Sequence, residues 1–96
     1  MIQREVDLDP VIPIPREQAA PLVLLADSFW SSVTLRAEGI TVNVKSLLGL
    51  MAIRKGIRQP MLLVCDGKDE KEAAEAVSAL LESYKNLTSR NISDIN

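Results

Sequence analysis

The segment that most constrains the fold is the apolar run of residues 61–65, Met-Leu-Leu-Val-Cys, which the turn signal Asp66-Gly67 follows at once. Because successive side chains of a strand point to opposite faces, an unbroken apolar run predicts a strand buried at the centre of a sheet. Asp69 and Glu72 then have the spacing of a capping box, which marks the start of a helix. Apolar residues at helical spacing predict that this helix continues along the chain; they are Ala73, Ala76, Val77, Leu80, Leu81 and Tyr84.

Three further segments alternate between apolar and polar residues, and each predicts a strand with one face toward a core. They are residues 2–8, 33–37 and 40–44. The turn signal Glu38-Gly39 separates the last two segments by a length suited to a tight hairpin. The chain is therefore expected to contain at least one antiparallel strand pair.

Two more helices are predicted. Residues 16–29 carry apolar side chains at three- and four-residue spacing, but Pro21 lies among them, so this helix either begins later or is kinked at the proline. Residues 46–53 predict a short helix, with Ser46 as its N-cap and Gly56 able to end it. The order β-α-β-β-α-β-α then predicts an α+β fold, in which a four-stranded, mostly antiparallel sheet carries three helices on one face.

The length and composition indicate one small domain. With 96 residues, of which 47% are hydrophobic and only 3% aromatic, the chain can bury a single aliphatic core. Residues 1–85 are predicted to form this domain, and residues 86–96 a polar, flexible tail. A net charge of −2 gives no support to non-specific binding of nucleic acid, which needs a basic surface. The lone Cys65, the charged first segment and the absence of a long apolar run predict a cytoplasmic protein that does not enter a membrane.

The chain contains no histidine, which excludes the Ser/His/Asp and Cys/His arrangements of nucleophilic catalysis. A glycine-rich phosphate loop is also missing from the sequence. Glu5, Asp7, Asp9 and Glu17 do not have the spacing of metal ligands. Cys65 lies in the predicted buried strand and is expected to be an inert core residue. The sequence therefore predicts neither an enzyme nor a cofactor or metal site.

Residues 42–51, Val-Asn-Val-Lys-Ser-Leu-Leu-Gly-Leu-Met, resemble the family of the histidine-containing phosphocarrier protein HPr. That family carries Asn-x-Lys-Ser, two aliphatic residues and Gly-x-Met at this place. The Asp66-Gly67 turn with the acidic helix start after it, and Ala19, Ala26 and Phe29 in the first predicted helix, match the family as well. The resemblance covers residues 2–84 and implies the HPr-like open-faced β-sandwich.

The resemblance ends at the family's catalytic loop. The family reads Gly-Ile-His-Ala-Arg-Pro-Ala there, with leucine as an alternative second residue, whereas residues 13–19 read Pro-Ile-Pro-Arg-Glu-Gln-Ala. Pro15 occupies the position of the histidine nucleophile, and Glu17 that of the arginine that helps to hold the phosphoryl group. The protein is therefore predicted not to be a histidine phosphocarrier, and it is similar in this respect to the family's catabolite-repression regulators.

Ser46 has two interpretations. It is either only the N-cap of the short helix or, as the resemblance implies, a serine that an HPr kinase/phosphorylase phosphorylates. A phosphate there would meet free N–H groups and the positive end of the helix dipole. Leu47, Leu48 and Met51 are likewise either core residues or, as the resemblance implies, a docking patch beside the serine.

Arg16 and Glu17 complete the predicted partner-binding residues, and Arg16 is a candidate to replace the family's arginine. The resemblance implies protein partners, namely a kinase/phosphorylase and a transcriptional regulator, in the bacterial phosphotransferase system or carbon catabolite control. Two other hypotheses stay open: a diverged HPr domain that binds a protein partner without phosphorylation, and a phosphocarrier that uses another residue. The oligomeric state and the regulated pathway are not predicted.

Overall fold

The computed structural model describes the backbone of residues 1–95 and the side chains of residues 1–87. The elements in chain order are β1 (Ile2–Val6), α1 (Arg16–Asp27), β2 (Ser32–Ala37), β3 (Ile40–Asn43), α2 (Leu47–Met51), β4 (Met61–Asp66) and α3 (Glu70–Ile95). This is the predicted order of strands and helices. The α+β fold, with four strands and three helices, is confirmed.

The sheet holds the apolar run of residues 61–65 in its interior. The strand order is β1-β4-β2-β3, and every neighbouring pair is antiparallel. β4 therefore has a hydrogen-bonded strand on each side, as its unbroken apolar run predicts. Leu63 faces the core beneath the helices. Val64 faces the other way and is still only 1% exposed, between its cross-strand neighbours Gln3 and Thr34.

β2 and β3 form the predicted hairpin. Ala37 pairs with Ile40, so the connecting loop consists of two residues, and Gly39 in that loop has a φ of +78°. Glycine adopts this left-handed conformation without steric cost, and such turns suit the twist of paired strands. The hairpin places Val42 opposite Leu35, and both side chains are buried in the core.

α1 is continuous across Pro21, so the alternative in which the helix begins after this proline is wrong. Pro21 lies on the exposed side of the helix, and Ala19, Leu22 and Ala26 are buried on the other side. A proline inside a helix removes one backbone donor and crowds the preceding turn. Burial of the apolar face before and after the proline offsets that loss.

Two predicted helix ends are wrong. α1 ends at Asp27 rather than at residue 29, and the C-cap Ser28 donates its hydroxyl to the Leu25 carbonyl at 2.6 Å. A side chain that bonds back to the last turn competes with continuation of the helix. α2 is also shorter than predicted and ends before Gly56, which adopts a φ of +97° in the loop that follows.

α3 begins at Glu70 and continues through Ile95. The Asp69 carboxylate, which was predicted to cap this helix, instead accepts hydrogen bonds from Trp30 and Ser31. Side chains after residue 87 lie outside the described part of the chain. The flexible tail predicted for residues 86–96 therefore stays a prediction.

The helices cover one face of the sheet. α3 contacts β4, β1 and β2, whereas α2 contacts β3, and α1 packs on the other two helices. The core between the layers is aliphatic, as predicted, and includes Leu22, Leu35, Leu50, Leu63 and Leu81. Tyr84 donates its hydroxyl to the Gln18 carbonyl at 2.6 Å and so joins α3 to the start of α1.

Candidate functional site

Ser46 caps α2, as predicted. Its backbone is extended, with φ −112° and ψ 114°, and its Oγ accepts a hydrogen bond from the Gly49 N–H at 3.1 Å. The Ser46 carbonyl accepts the next helical bond, from the Leu50 N–H at 3.1 Å. The hydroxyl thus satisfies one of the first-turn donors that have no partner inside a helix. Its side chain is half-buried at the surface.

Gly49 leaves the space that this cap needs. A Cβ at Gly49 would lie 3.2 Å from Ser46 Oγ and 3.3 Å from Val42 Cγ1. These distances are shorter than ordinary van der Waals contact, so a side chain there would displace the Ser46 hydroxyl or Val42. The serine and the glycine of the string 42–51 are therefore parts of one local structure.

Lys45, which precedes Ser46, forms hydrogen bonds with both its side chain and its backbone. Its Nζ donates to the Phe29 carbonyl at 2.9 Å, and its backbone N–H donates to Asn43 Oδ1 at 3.0 Å. The Phe29 carbonyl belongs to the chain that leaves α1. The lysine therefore joins the end of α1 to the start of α2, a contact between distant positions that the sequence pattern does not indicate.

The apolar residues of α2 divide between core and surface. Leu50 is fully buried and Leu47 packs partly against the core. Leu48 is 81% exposed and Met51 is 40% exposed. Because water surrounds these last two side chains, they can contact a partner beside Ser46. The structure thus places Ser46, Leu47, Leu48 and Met51 together.

The start of α1 is a different kind of surface. Pro15 is the exposed N-cap residue and makes no side-chain capping bond, while its carbonyl accepts from the Gln18 and Ala19 N–H groups at 3.0 and 2.9 Å. Arg16 and Glu17 are exposed in the first turn. Proline has no side-chain nucleophile, donor or acceptor, so residue 15 cannot take up a phosphoryl group.

Ser46 and the Pro15 surface belong to different ends of α1. Arg16 and Glu17 lie at the start of this helix, whereas Lys45, the neighbour of Ser46, bonds to the chain beyond its end. A helix of 12 residues is about 18 Å long. Of the predicted partner-binding residues, Arg16 and Glu17 therefore share an element with each other and not with Ser46.

Asp69 holds the segment between α1 and β2. Its carboxylate accepts hydrogen bonds from the backbone N–H of Trp30 at 2.8 Å, from the backbone N–H of Ser31 at 2.9 Å and from the Ser31 hydroxyl. These bonds, that of the Ser31 hydroxyl first, hold the pKa of Asp69 below its usual value. Ser31 is fully buried, and Gly67 lies so close that a Cβ there would be 2.6 Å from the Ser31 Cα.

A metal site, a reactive thiol and a membrane-spanning helix each place their own requirements on the described residues. Among them, no group of three or more His, Cys, Asp or Glu side chains is placed to hold a metal ion. The Cys65 thiol is buried, and desolvation raises its pKa, which disfavours the reactive thiolate. Among the described helices, none is both long and apolar enough to cross a bilayer.

A family model described as the PTS HPr component phosphorylation site matches residues 15–83 of this chain. The HPr-like protein Crh of Halalkalibacterium halodurans is 33% identical over 82 residues, which cover 85% of this chain and 98% of that protein. The phosphocarrier protein HPr of Cupriavidus necator is 35% identical over 81 residues, covering 84% of this chain and 91% of that protein.

Solved structures have the same fold. HPr-C-His from Thermoanaerobacter tengcongensis superposes with a TM-score of 0.73 at 28% identity, covering 90% of this chain and 97% of that one. Bacillus subtilis Crh, described as a dimer with a swapped domain, superposes with a TM-score of 0.66 at 28% identity, covering 88% of this chain and 90% of that one.

The chain belongs to the HPr family, so the resemblance drawn from residues 42–51 is confirmed. Its relatives include both phosphocarrier proteins and HPr-like Crh proteins. It is accordingly a protein related to the phosphotransferase system or to catabolite repression, with the HPr-like four-stranded sheet and three helices.

Proposed function

We propose that this chain is a cytoplasmic HPr-like regulator that signals through Ser46 and does not carry phosphate on histidine. The observation that carries the proposal is the contrast between two positions. Pro15 leaves the start of α1 without a nucleophile, whereas Ser46 presents a hydroxyl at the start of α2. The loss of one reactive group and the retention of the other favour regulation over phosphoryl relay.

The geometry of Ser46 supports phosphorylation. The hydroxyl is half-buried at the surface, so a kinase can reach it without unfolding the core. A phosphate would lie at the N-terminus of α2, where the Gly49 N–H already points at the serine oxygen. Free N–H groups and the positive end of a helix dipole stabilise an anion, so phosphorylation is compatible with the folded helix.

The proposed partner surface consists of Leu47, Leu48 and Met51 of α2, with Arg16 and Glu17 as further contacts at the start of α1. Leu48 and Met51 supply exposed apolar area, and a phosphate would add about −1.5 to −2 charges beside them. A partner with an apolar groove and an arginine can distinguish the two states. The proposed partners are an HPr kinase/phosphorylase and a transcriptional regulator.

A second function is favoured by one specific observation. The Ser46 hydroxyl already has a structural task, because it accepts the Gly49 N–H bond that begins α2. Under this alternative the serine only caps the helix, and the protein binds a partner without phosphorylation. The two functions share the exposed leucine and methionine and differ only in whether Ser46 is modified.

The deciding experiment incubates the protein with ATP and an HPr kinase/phosphorylase, and locates phosphate by mass spectrometry. We expect one phosphate, on Ser46, and none on a Ser46→Ala variant. A known HPr in the same tube serves as the positive control. If that HPr is labelled and this chain is not, the regulatory function is rejected in favour of the binding module.

A further inference from the structure

Trp30 is an exposed aromatic side chain that neither the core nor the proposed site accounts for. It is the only tryptophan of the chain, and 79% of it is exposed. It precedes β2, in the short connection that follows α1. Tryptophan carries a large apolar surface and is strongly enriched among the residues that dominate binding energy at protein interfaces.

The ring is displayed on a fixed backbone. The backbone N–H of Trp30 donates to Asp69 Oδ2 at 2.8 Å. The next residue, Ser31, is fully buried and bonds to the same carboxylate. The Lys68 ammonium lies 4.6 Å from the centroid of the Trp30 ring, in a cation–π contact. A side chain held in place before binding loses little conformational entropy when a partner arrives.

Trp30 is located at the same end of the molecule as Ser46. Lys45, which precedes Ser46, donates its Nζ to the carbonyl of Phe29, which precedes Trp30. One hydrogen bond of 2.9 Å therefore joins the two segments. Leu48, in the first turn of α2, adds a further exposed side chain at this end. A protein that covers Ser46 has Trp30 within its reach.

One cation, the Lys68 ammonium, lies against the ring, and the nearby Asp69 and Glu70 carboxylates are engaged in hydrogen bonds with other groups. The Asp69 carboxylate is occupied by the Trp30 and Ser31 donors, and the Glu70 carboxylate accepts from Gly67 N–H at 3.2 Å and from the N-terminal amine at 2.6 Å. Lys68 contacts the face of the ring, which leaves its ammonium donors open to a carboxylate. The fitting partner thus offers an apolar side chain to the ring and a carboxylate to Lys68.

We propose that Trp30 and Lys68 extend the Ser46 surface and form a docking site for the protein kinase that phosphorylates Ser46. The inference rests on the proposed function, because it takes the occupant to be that kinase. The kinase contributes an apolar side chain against the Trp30 ring and a carboxylate against Lys68. The docking site raises the affinity of the kinase for this chain without touching the hydroxyl that reacts.

The first test measures the kinetics of Ser46 phosphorylation by an HPr kinase/phosphorylase. We expect Trp30→Ala to raise KM about tenfold or more with kcat unchanged, because an interface tryptophan contributes binding and not chemistry. Trp30→Phe keeps a ring and is expected to raise KM less. Leu87→Ala is the matched control, since Leu87 is also exposed, at 49%, but lies far along α3.

The lysine is tested by charge. Lys68→Glu is expected to raise KM, whereas Lys68→Arg keeps a cation over the ring and is expected to retain the KM of the unmodified chain. Circular dichroism and thermal unfolding verify that each variant is folded. Unchanged KM in Trp30→Ala, while the parent chain is phosphorylated, would overturn the docking site and leave the proposed function standing.

A second test does not need catalysis. Incorporating 5-fluorotryptophan places one fluorine reporter in the chain, at residue 30, because there is no other tryptophan. Adding the kinase with a non-hydrolysable ATP analogue is expected to change the chemical shift of this single ¹⁹F signal, whereas broadening alone reports only slower tumbling of the complex. The Lys68→Glu variant is expected to need a higher kinase concentration for the same change. An unchanged chemical shift, with a kinase preparation that phosphorylates Ser46 of the parent chain, rejects the docking site and leaves the proposed function standing.

Discussion

α1 and α2 both begin at the surface, but their first residues have opposite chemical abilities. Pro15 precedes α1 with no side-chain capping bond, and Ser46 precedes α2 with a hydroxyl that accepts the Gly49 N–H at 3.1 Å. Both starts offer the positive end of a helix dipole. The comparison shows that two helix starts with the same backbone dipole can differ in whether the preceding residue has a side chain able to react.

The largest expected effect concerns phosphoryl transfer at α1. We expect phosphoenolpyruvate and the general phosphotransferase enzyme I to place no phosphoryl group on the parent chain, because it contains no histidine. The variant Pro15→His/Glu17→Arg is expected to gain an acid-labile phosphate that mass spectrometry detects. Pro15→His alone is expected to gain less, because the Glu17 carboxylate repels an anionic group. Stoichiometric labelling of the parent chain would contradict this distinction between the two helices.

A smaller effect concerns the stability that each first residue contributes. Ser46→Ala is expected to lower the free energy of unfolding by about 1 kcal/mol, because the Gly49 N–H loses its cap. Pro15→Ser is expected to change it by less than about 0.5 kcal/mol, since the new cap is offset by the greater freedom of the unfolded chain. Urea denaturation at neutral pH measures both. Equal losses of unfolding free energy in Ser46→Ala and Pro15→Ser would show that the two first residues contribute equally to stability, against this prediction.

The smallest effect extends the comparison to α3, where the carboxylate of the preceding residue Asp69 bonds to another segment and only its backbone carbonyl bonds to the helix. Its pKa is lowered in the fold, so its contribution to stability is present above the unfolded value of about 3.9 and is lost as pH falls through the folded pKa. Asp69→Asn is expected to reduce stability at pH 7 and to differ less from the parent chain in acid. Ser31→Ala, which removes the first cause of the shift, is expected to lose part of this pH dependence. If the free energies of unfolding of the parent chain and Asp69→Asn differ by the same amount at every pH from 7 to 2, Asp69 is not the source of this pH dependence.

The fold could be predicted because its signals are local. The unbroken apolar run of residues 61–65 and the two-residue turn before Ile40 each specify a strand within a few positions. Helix ends were less predictable. The end of α1 depends on Ser28 bonding back to Leu25, and its passage through Pro21 depends on burial of the opposite face.

The geometry of the candidate site could be predicted only for residues that lie close together in the sequence. Ser46, Gly49 and Leu48 lie within a few residues of one another, so their shared geometry follows from a pattern of known spacing. Lys45 and Phe29, or Asp69 and Ser31, meet only after the chain has folded. The exposure of Trp30 could not be predicted for the same reason, because it depends on the packing of distant elements.

Different parts of the chain form hydrogen bonds to the two ends of α1. Tyr84 holds the Gln18 carbonyl at one end, and Lys45 holds the Phe29 carbonyl just beyond the other. A charged phosphate on Ser46 is a stronger partner for the Lys45 ammonium than a carbonyl oxygen. Releasing Phe29 would remove this link between the start of α2 and the end of α1, while the Tyr84 bond and the buried face of α1 would still hold the helix on α2 and α3. Phosphorylation would then loosen the connection after α1 and leave the helix itself in place.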